Sequence, residues 1–174
     1  MIVTPEEFAQ IRRQAEAEYP QECCGVILVG PGDKRLLLPF RNIQNEKHAQ
    51  DPAHYPRDAR TAYYADPQDV MKLMRLEPEG YRAVTFYHSH IDVGAYFSET
   101  DKRQAAPGGE ALYPDAAYLV VSVVEHKVQG AEGWLRRWLP RLLRRCKVLE
   151  ARAFRWDPAR RDFAPVPFTQ RSSC

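Results

Sequence analysis

No run of apolar residues in this sequence approaches the roughly 20 that a bilayer-crossing helix requires, so a transmembrane segment is not expected. Cys-x-x-Cys spacing is missing too. The four cysteines are Cys23, Cys24, Cys146 and Cys174, two adjacent, one in a basic stretch and one terminal. They build neither a cysteine zinc cage nor a redox pair, and free thiols point to a reducing, cytoplasmic compartment. The N-terminal stretch lacks the charged-then-apolar layout of a signal peptide and is instead acidic and amphipathic, as expected of an unexported protein. An excess of one charge sign is missing: 25 Lys and Arg against 23 Asp and Glu leave a net +2, which argues against a nucleic-acid partner. Internal repeats and low-complexity tracts are absent. The exception to this evenness is a basic stretch from Arg136 to Arg152.

What is present is 174 residues, 44% of them hydrophobic, enough for one domain with a real core and too few for two. Thr4-Pro5-Glu6-Glu7 is a helix start, with Thr4 as N-cap and Pro5 at the first helical position. Phe8, Ile11, Ala15 and Tyr19 supply its apolar stripe, and Pro20 ends it. Cys24 to Val29 reads as a buried strand, and Arg35 to Phe40 as a second one after a Pro-Gly-Asp turn. Residues 42–60 are polar and irregular and read as a long loop, a feature more often functional or mobile than incidental. A short strand is expected at Tyr63-Tyr64, a helix from Asp66-Pro67 to about Leu76, and a strand from Arg82 to Tyr87 running into His88-Ser89-His90. A short helix from Ser98 to Ala106 follows. Further strands are expected at Ala117 to Val124, His126 to Ala131, Glu150 to Trp156 and Phe163 to Phe168. This order predicts an α/β (α+β) domain, a central mixed β-sheet flanked by helices, over residues 1–168, with a frayed tail at 169–174.

The chemistry concentrates between His88 and Asp101. Residues i and i+2 of an extended chain share a side, so His88 and His90 present two imidazoles together at a strand end. Ser98 and Asp101, three apart, share the first turn of the next helix, and the loop between can fold the carboxylate back to the imidazoles. Two neutral nitrogens and one carboxylate make a three-ligand Zn2+ site with an open fourth position, the arrangement of catalytic rather than structural zinc. Water there would reach a pKa of about 7 and would need a base to carry its proton to a leaving amine. Glu22, just before the buried strand at Cys24, is the candidate for that role. Ser98 has a hydroxyl free to face a tetrahedral oxyanion. His-x-His alone means little, and Ser98-x-x-Asp101 alone is a helix cap; the joint spacing, together with Glu22, carries the functional reading.

This set, His88-x-His90 followed by Ser98-x-x-Asp101 with Glu22 upstream of Cys-Gly-Val-Ile, resembles the JAMM (MPN+) metalloprotease family. Tyr19-Pro-Gln-Glu-Cys-Cys-Gly25 and Leu38-Pro-Phe-Arg-Asn42 resemble its next segments, and the similarity extends from Met1 to about Ala131, resuming near Ala151. The resemblance implies a cytidine-deaminase-like MPN fold. It implies one Zn2+ per chain on His88, His90 and Asp101, Glu22 as acid/base and Ser98 as oxyanion donor, while Ser89 orients the loop. It also implies a peptidase or isopeptidase acting at the C-terminus of a ubiquitin-like or sulfur-carrier protein, closest to the short bacterial enzymes that include a carrier-cysteine peptidase. The substrate tail would lie beside the zinc and add a strand to the sheet edge. Two family prolines are replaced by Ile91 and Phe97, which bears on loop order rather than ligation.

Other readings stand beside these. A non-catalytic MPN scaffold would lack ligands, and none is missing. A small-molecule zinc hydrolase would use the same metal, but the His-x-Glu and Pro-Cys-x-x-Cys of a nucleobase deaminase are absent. Asp92 and Glu99 are expected to be solvated, Cys24 to be a small core residue, and His48, His54 and His126 to be structural or exposed. Residues 134–149 resemble an insertion in the family. Trp134, Leu135, Trp138, Leu139, Leu142 and Leu143 recur at helical spacing opposite a row of arginines, although Pro140 would kink such a helix. A basic amphipathic helix here would pack on its own domain, the commoner outcome, or meet a membrane surface or an acidic partner. Oligomeric state is not legible.

Overall fold

The computed structural model describes residues 1–127 and 144–168. The first helix, α1 (Pro5–Glu18), begins on a complete capping box: Thr4 Oγ1 accepts from the Glu7 N–H at 3.2 Å, and Glu7 Oε2 accepts from the Thr4 N–H at 2.8 Å. Ile11 and Ala15 are fully buried, and Phe8 and Tyr19 pack at the margin of the same cluster. Six strands form one sheet in the order β2-β1-β3-β4-β5-β6. They are β1 (Cys24–Val29), β2 (Arg35–Phe40), β3 (Arg82–Ile91), β4 (Ala117–Lys127), β5 (Arg144–Asp157) and β6 (Asp162–Val166). Neighbours are antiparallel except β3 and β4, which run parallel and are joined by a crossover through α4 (Glu99–Ala105). The mixed α+β sheet expected from the sequence is therefore the observed one.

All six residues of β1 are buried, because both sheet faces are covered. On one face Ile27, Tyr87, Leu119 and Val121 meet Ile11 and Ala15 of α1. On the other, Val26, Leu28 and Phe40 meet Leu73 of α3 (Pro67–Leu76), and Phe97 joins Tyr118, Phe154 and Phe163. Full burial of each such side chain contributes roughly 1.5–3 kcal/mol. Alternation along β3 puts Phe86, His88 and His90 on the face away from α1.

Several local expectations need correction. The segment read as loop from 42 to 60 contains a helix, α2 (Gln44–Gln50). Its Gln-Asn-Glu-Lys-His-Ala-Gln sequence buries only Gln44, so no apolar period marks it. Tyr63-Tyr64 form no strand; a single bridge joins Asn42 and Ala65. The strands expected around Val124 and His126 are one, β4. Part of the expected amphipathic helix is sheet: residues 144–149 extend β5, with Val148 buried against Val123 and Leu149 57% exposed, a period of two. The rest of that segment, 134–143, and the tail 169–174 lie outside the described residues. β3 is paired on both sides, by β1 and β4, and the edge strands of the sheet are β2 and β6. Among the described residues, no helix is long and apolar enough to cross a membrane.

Candidate metal centre

His88 and His90 leave the end of β3 on one side, and Asp101 sits at the third position of α4, held by a second capping box. Ser98 Oγ accepts from the Asp101 N–H at 3.2 Å, and Asp101 Oδ2 accepts from the Ser98 N–H at 2.7 Å. The cap that the spacing predicted and the convergence of the three residues are thus the same structure. His88 Nε2 lies 3.2 Å from His90 Nε2, and Asp101 Oδ2 lies 3.4 and 3.5 Å from these two nitrogens. Ligand atoms at ~2.05 Å around a tetrahedral ion are separated by ~3.3 Å, so the spacing fits one small cation. All three side chains are buried, and among the described residues no other group of His, Cys, Asp or Glu meets this condition.

The surroundings fix the donor atoms. His90 Nδ1 is 3.1 Å from the Gly94 carbonyl, an acceptor only, so Nδ1 carries the proton and Nε2 keeps its lone pair for a metal. Tyr63 packs over the His88 ring at a centroid distance of 4.9 Å, and Tyr96 meets the His90 ring edge-on at 4.8 Å. Burial works to raise the Asp101 carboxyl, but the adjacent His88 and His90 side chains and Ser98 hold it well below the usual carboxylate range. It is an anion ready for a cation.

Glu22 is 6% exposed and faces the same cavity. Burial, then the Asp101 charge, push its pKa up to about 9, with Arg57 opposing. Its backbone is held on three sides. The Glu22 N–H donates to the Ala59 carbonyl at 2.7 Å, the Glu22 carbonyl accepts from Asn42 Nδ2 at 2.8 Å, and the next residue, Cys23, is clamped to Ser89. There the Cys23 N–H donates to Ser89 Oγ at 2.8 Å and the Ser89 N–H donates to the Cys23 carbonyl at 3.0 Å. Ser89, fully buried between the two histidines, therefore orients the Glu22 segment. Ser98 is half-buried; its oxygen caps α4, which leaves its hydroxyl hydrogen to donate toward the cavity.

Where the loop lacks its two prolines, apolar packing holds it. Ile91 is buried, and Phe97 stacks on Phe154 and contacts Phe163 at centroid distances of 5.4 and 4.8 Å. Asp92 and Glu99 are exposed, as expected, and pair with Arg60 and Lys102. Cys23 and Cys24 are free and buried, and burial first of all pushes the Cys23 thiol up to about 12, so neither is poised as a nucleophile. His48 Nδ1 lies 2.7 Å from the Tyr55 carbonyl, and His54 is exposed. The side chain of His126 lies outside the described residues. Sequence reasoning passed over Arg57, Arg60, Tyr63 and Gln104, all lining the cavity beside the three donors. The polar 42–60 loop, marked as functional by its length, was the signal for the two arginines.

The family model for prokaryotic homologs of the JAB domain matches residues 4–139. A desampylase from Haloferax volcanii is 32% identical over 116 residues, covering 66% of this chain and 72% of that protein. Two solution structures share the fold. A protein from Desulfitobacterium hafniense aligns at TM-score 0.55 and 17% identity over 94% of this chain and 88% of its own. One from Salinibacter ruber aligns at TM-score 0.52 and 23% identity over 99% and 93%. The chain belongs to the prokaryotic JAB-domain family and is a hydrolase domain of the JAMM type.

Proposed function

We propose that this protein is a zinc-dependent peptidase or isopeptidase that cleaves a bond at the C-terminus of a ubiquitin-like or sulfur-carrier protein. The observation that carries this reading is the buried convergence of His88, His90 and Asp101 at metal-ligand spacing, with Glu22 on the same cavity. His88 Nε2, His90 Nε2 and an Asp101 carboxylate oxygen would hold the ion. Zinc would supply a Lewis acid able to bring the pKa of water from ~15.7 to about 7.

The rest belongs to the chain. Glu22 takes the proton of the attacking water and returns it to the leaving nitrogen. Burial raises its pKa to about 9 in the metal-free site, and the charge of a bound cation would lower it again toward the range in which one carboxyl can both accept and return a proton. Ser98 donates its hydroxyl hydrogen to the oxygen that becomes negative as the carbonyl carbon turns tetrahedral. The Gly94 carbonyl keeps His90 in the required tautomer. The likeness to a desampylase supports the hydrolytic reading. Buried free thiols at Cys23 and Cys24 suit a reducing, cytoplasmic setting.

Mass spectrometry of carrier-protein conjugates incubated with the protein, with and without a chelator, tests this. Release of the carrier that stops on chelation and returns with zinc is expected. Cleavage insensitive to chelation would overturn it, as would metal analysis giving no zinc in protein purified without chelators.

A further inference from the structure

The cavity beside the three donors is about 160 Å³, and Arg57 and Arg60 are among the residues that line it. Their placement is not loose. Between them Ala59 is fully buried, its N–H donating to Asn45 Oδ1 at 2.8 Å and its carbonyl accepting from the Glu22 N–H at 2.7 Å. The Arg57 carbonyl accepts from Gln44 Nε2 at 2.6 Å. The backbone that carries both arginines is thus bonded to α2 on one side and to the Glu22 segment on the other.

Their charges are mostly unspent. Arg60 reaches Asp92 only at 3.9 Å with its side chain 54% exposed, and among the described residues Arg57 has no carboxylate at ion-pair distance. Two cations beside a cation-binding trio make the cavity a place for an anion. Its size restricts the anion, since a cavity of ~150 Å³ holds about one benzene-sized molecule. A guanidinium matches a carboxylate with two parallel N–H···O bonds.

We propose that Arg57 and Arg60 bind the free α-carboxylate of a single residue on the leaving side of the scissile bond, so that the preferred substrate is a linear peptide extension of the carrier rather than a lysine isopeptide. This rests on the hydrolase reading of the same site. One water is consumed: its oxygen joins the acyl carbon, the C–N bond breaks, and the departing nitrogen takes a proton to become the amino group of a free amino acid. That amino acid carries the carboxylate one carbon from the departing nitrogen, where the arginines wait. A lysine side-chain leaving group has no carboxylate at that distance, so it lacks the partner that the two cations would bind.

The test uses a peptide pair, Leu-Gly-Gly-Ala ending in a free carboxylate or in a carboxamide. Both are titrated by calorimetry into zinc-loaded Glu22→Gln protein and assayed for alanine or alaninamide release with the unmodified enzyme. The acid is expected to bind about tenfold tighter than the amide, with a correspondingly lower KM. In Arg57→Gln/Arg60→Gln protein that preference should vanish, through KM, while Arg57→Lys/Arg60→Lys restores part of it. Equal binding of acid and amide, no binding of the acid at millimolar concentration, or a preference that survives the double glutamine variant overturns the proposal. Equal cleavage of both peptides overturns it while leaving the hydrolase reading intact. A binding preference without cleavage of either supports the carboxylate site and counts against the hydrolase reading.

Discussion

Replacing Glu22 by Gln keeps the shape of a 6%-exposed side chain and removes its ability to carry a proton. Two effects follow, in opposite directions. In zinc-loaded protein the variant should keep about one zinc per chain, because Glu22 is not among the three donors, and should lose ~10²–10⁴ in kcat, the usual contribution of a positioned acid/base. In metal-free protein it should be more stable than the parent. The folded Glu22 holds its proton up to a pKa of about 9, against an ordinary 4.5. A carboxyl raised in the folded state contributes its stability in full below the unfolded value and loses it as pH climbs toward the folded one. At pH 7.5, three units above the unfolded value, the parent has given up at most ~4 kcal/mol at ~1.4 kcal/mol per unit. Glutamine never ionises and gives up nothing. Thermal unfolding of chelator-treated proteins across pH should show the variant's Tm higher by roughly 5–15 °C at pH 7.5, for a stability difference of order 2–4 kcal/mol in a chain of this size. The gap should close near pH 4.5, and it should shrink on adding zinc, whose charge favours the ionised carboxylate. A gap independent of pH, or none at pH 7.5, would refute the buried, proton-holding Glu22; full activity in the zinc form would refute its catalytic role.

Three other perturbations have defined outcomes. His88→Ala should reduce zinc content at least tenfold by elemental analysis, and undiminished metal would show the trio is not the site. Ser98→Ala should lower kcat ~10²–10³ through the lost oxyanion donor and stability by ~1 kcal/mol through the lost α4 cap. Ser98→Asp keeps a cap but offers no hydroxyl, so it should recover the Tm and not the rate; joint recovery would assign Ser98 to capping alone. Phe97→Ala removes the ring that stacks on Phe154 and contacts Phe163 and should cost ~3–5 kcal/mol in denaturant unfolding; a change within error would show that the loop is held by something else.

The elements with a strong apolar period were legible before any coordinates. β1 and β4 carry apolar runs rich in β-branched residues, and α1 and α3 open on Thr4-Pro5 and Asp66-Pro67, local signals that the structure keeps. The cluster of His88, His90 and Asp101 was legible because its spacing is local: two histidines in one strand and a cap one turn into the next helix. What was not legible depends on tertiary contact. α2 has no apolar stripe, and its N-cap residue Ile43 offers no side-chain bond, so nothing in 44–50 announces a helix. Residues 144–149 read as helix because leucine and arginine spacing is ambiguous over so short a span, while pairing with β4 decides for strand. Arg57 and Arg60 reach the cavity only because Ala59 is bonded to Glu22, a partner 37 residues away.

The clamp between Cys23 and Ser89 has a consequence for how such a domain can change. It ties the acid's segment to the histidine strand by two reciprocal bonds across 66 residues of chain. The connections between the paired strands, including much of α2 and α3, can be lengthened, shortened or rewritten without shifting Glu22 relative to His88 and His90, since the cost of a longer closed loop grows only logarithmically. The exceptions are Asn42, whose side chain holds the Glu22 carbonyl, and the stretch around Ala59, whose carbonyl holds the Glu22 amide. Loop grafts that exchange residues 46–58 or 61–80 while preserving the bonds from Asn42 and Ala59 to Glu22 and from Asn45 to Ala59 should therefore transplant recognition from one relative to another with Glu22 left in register.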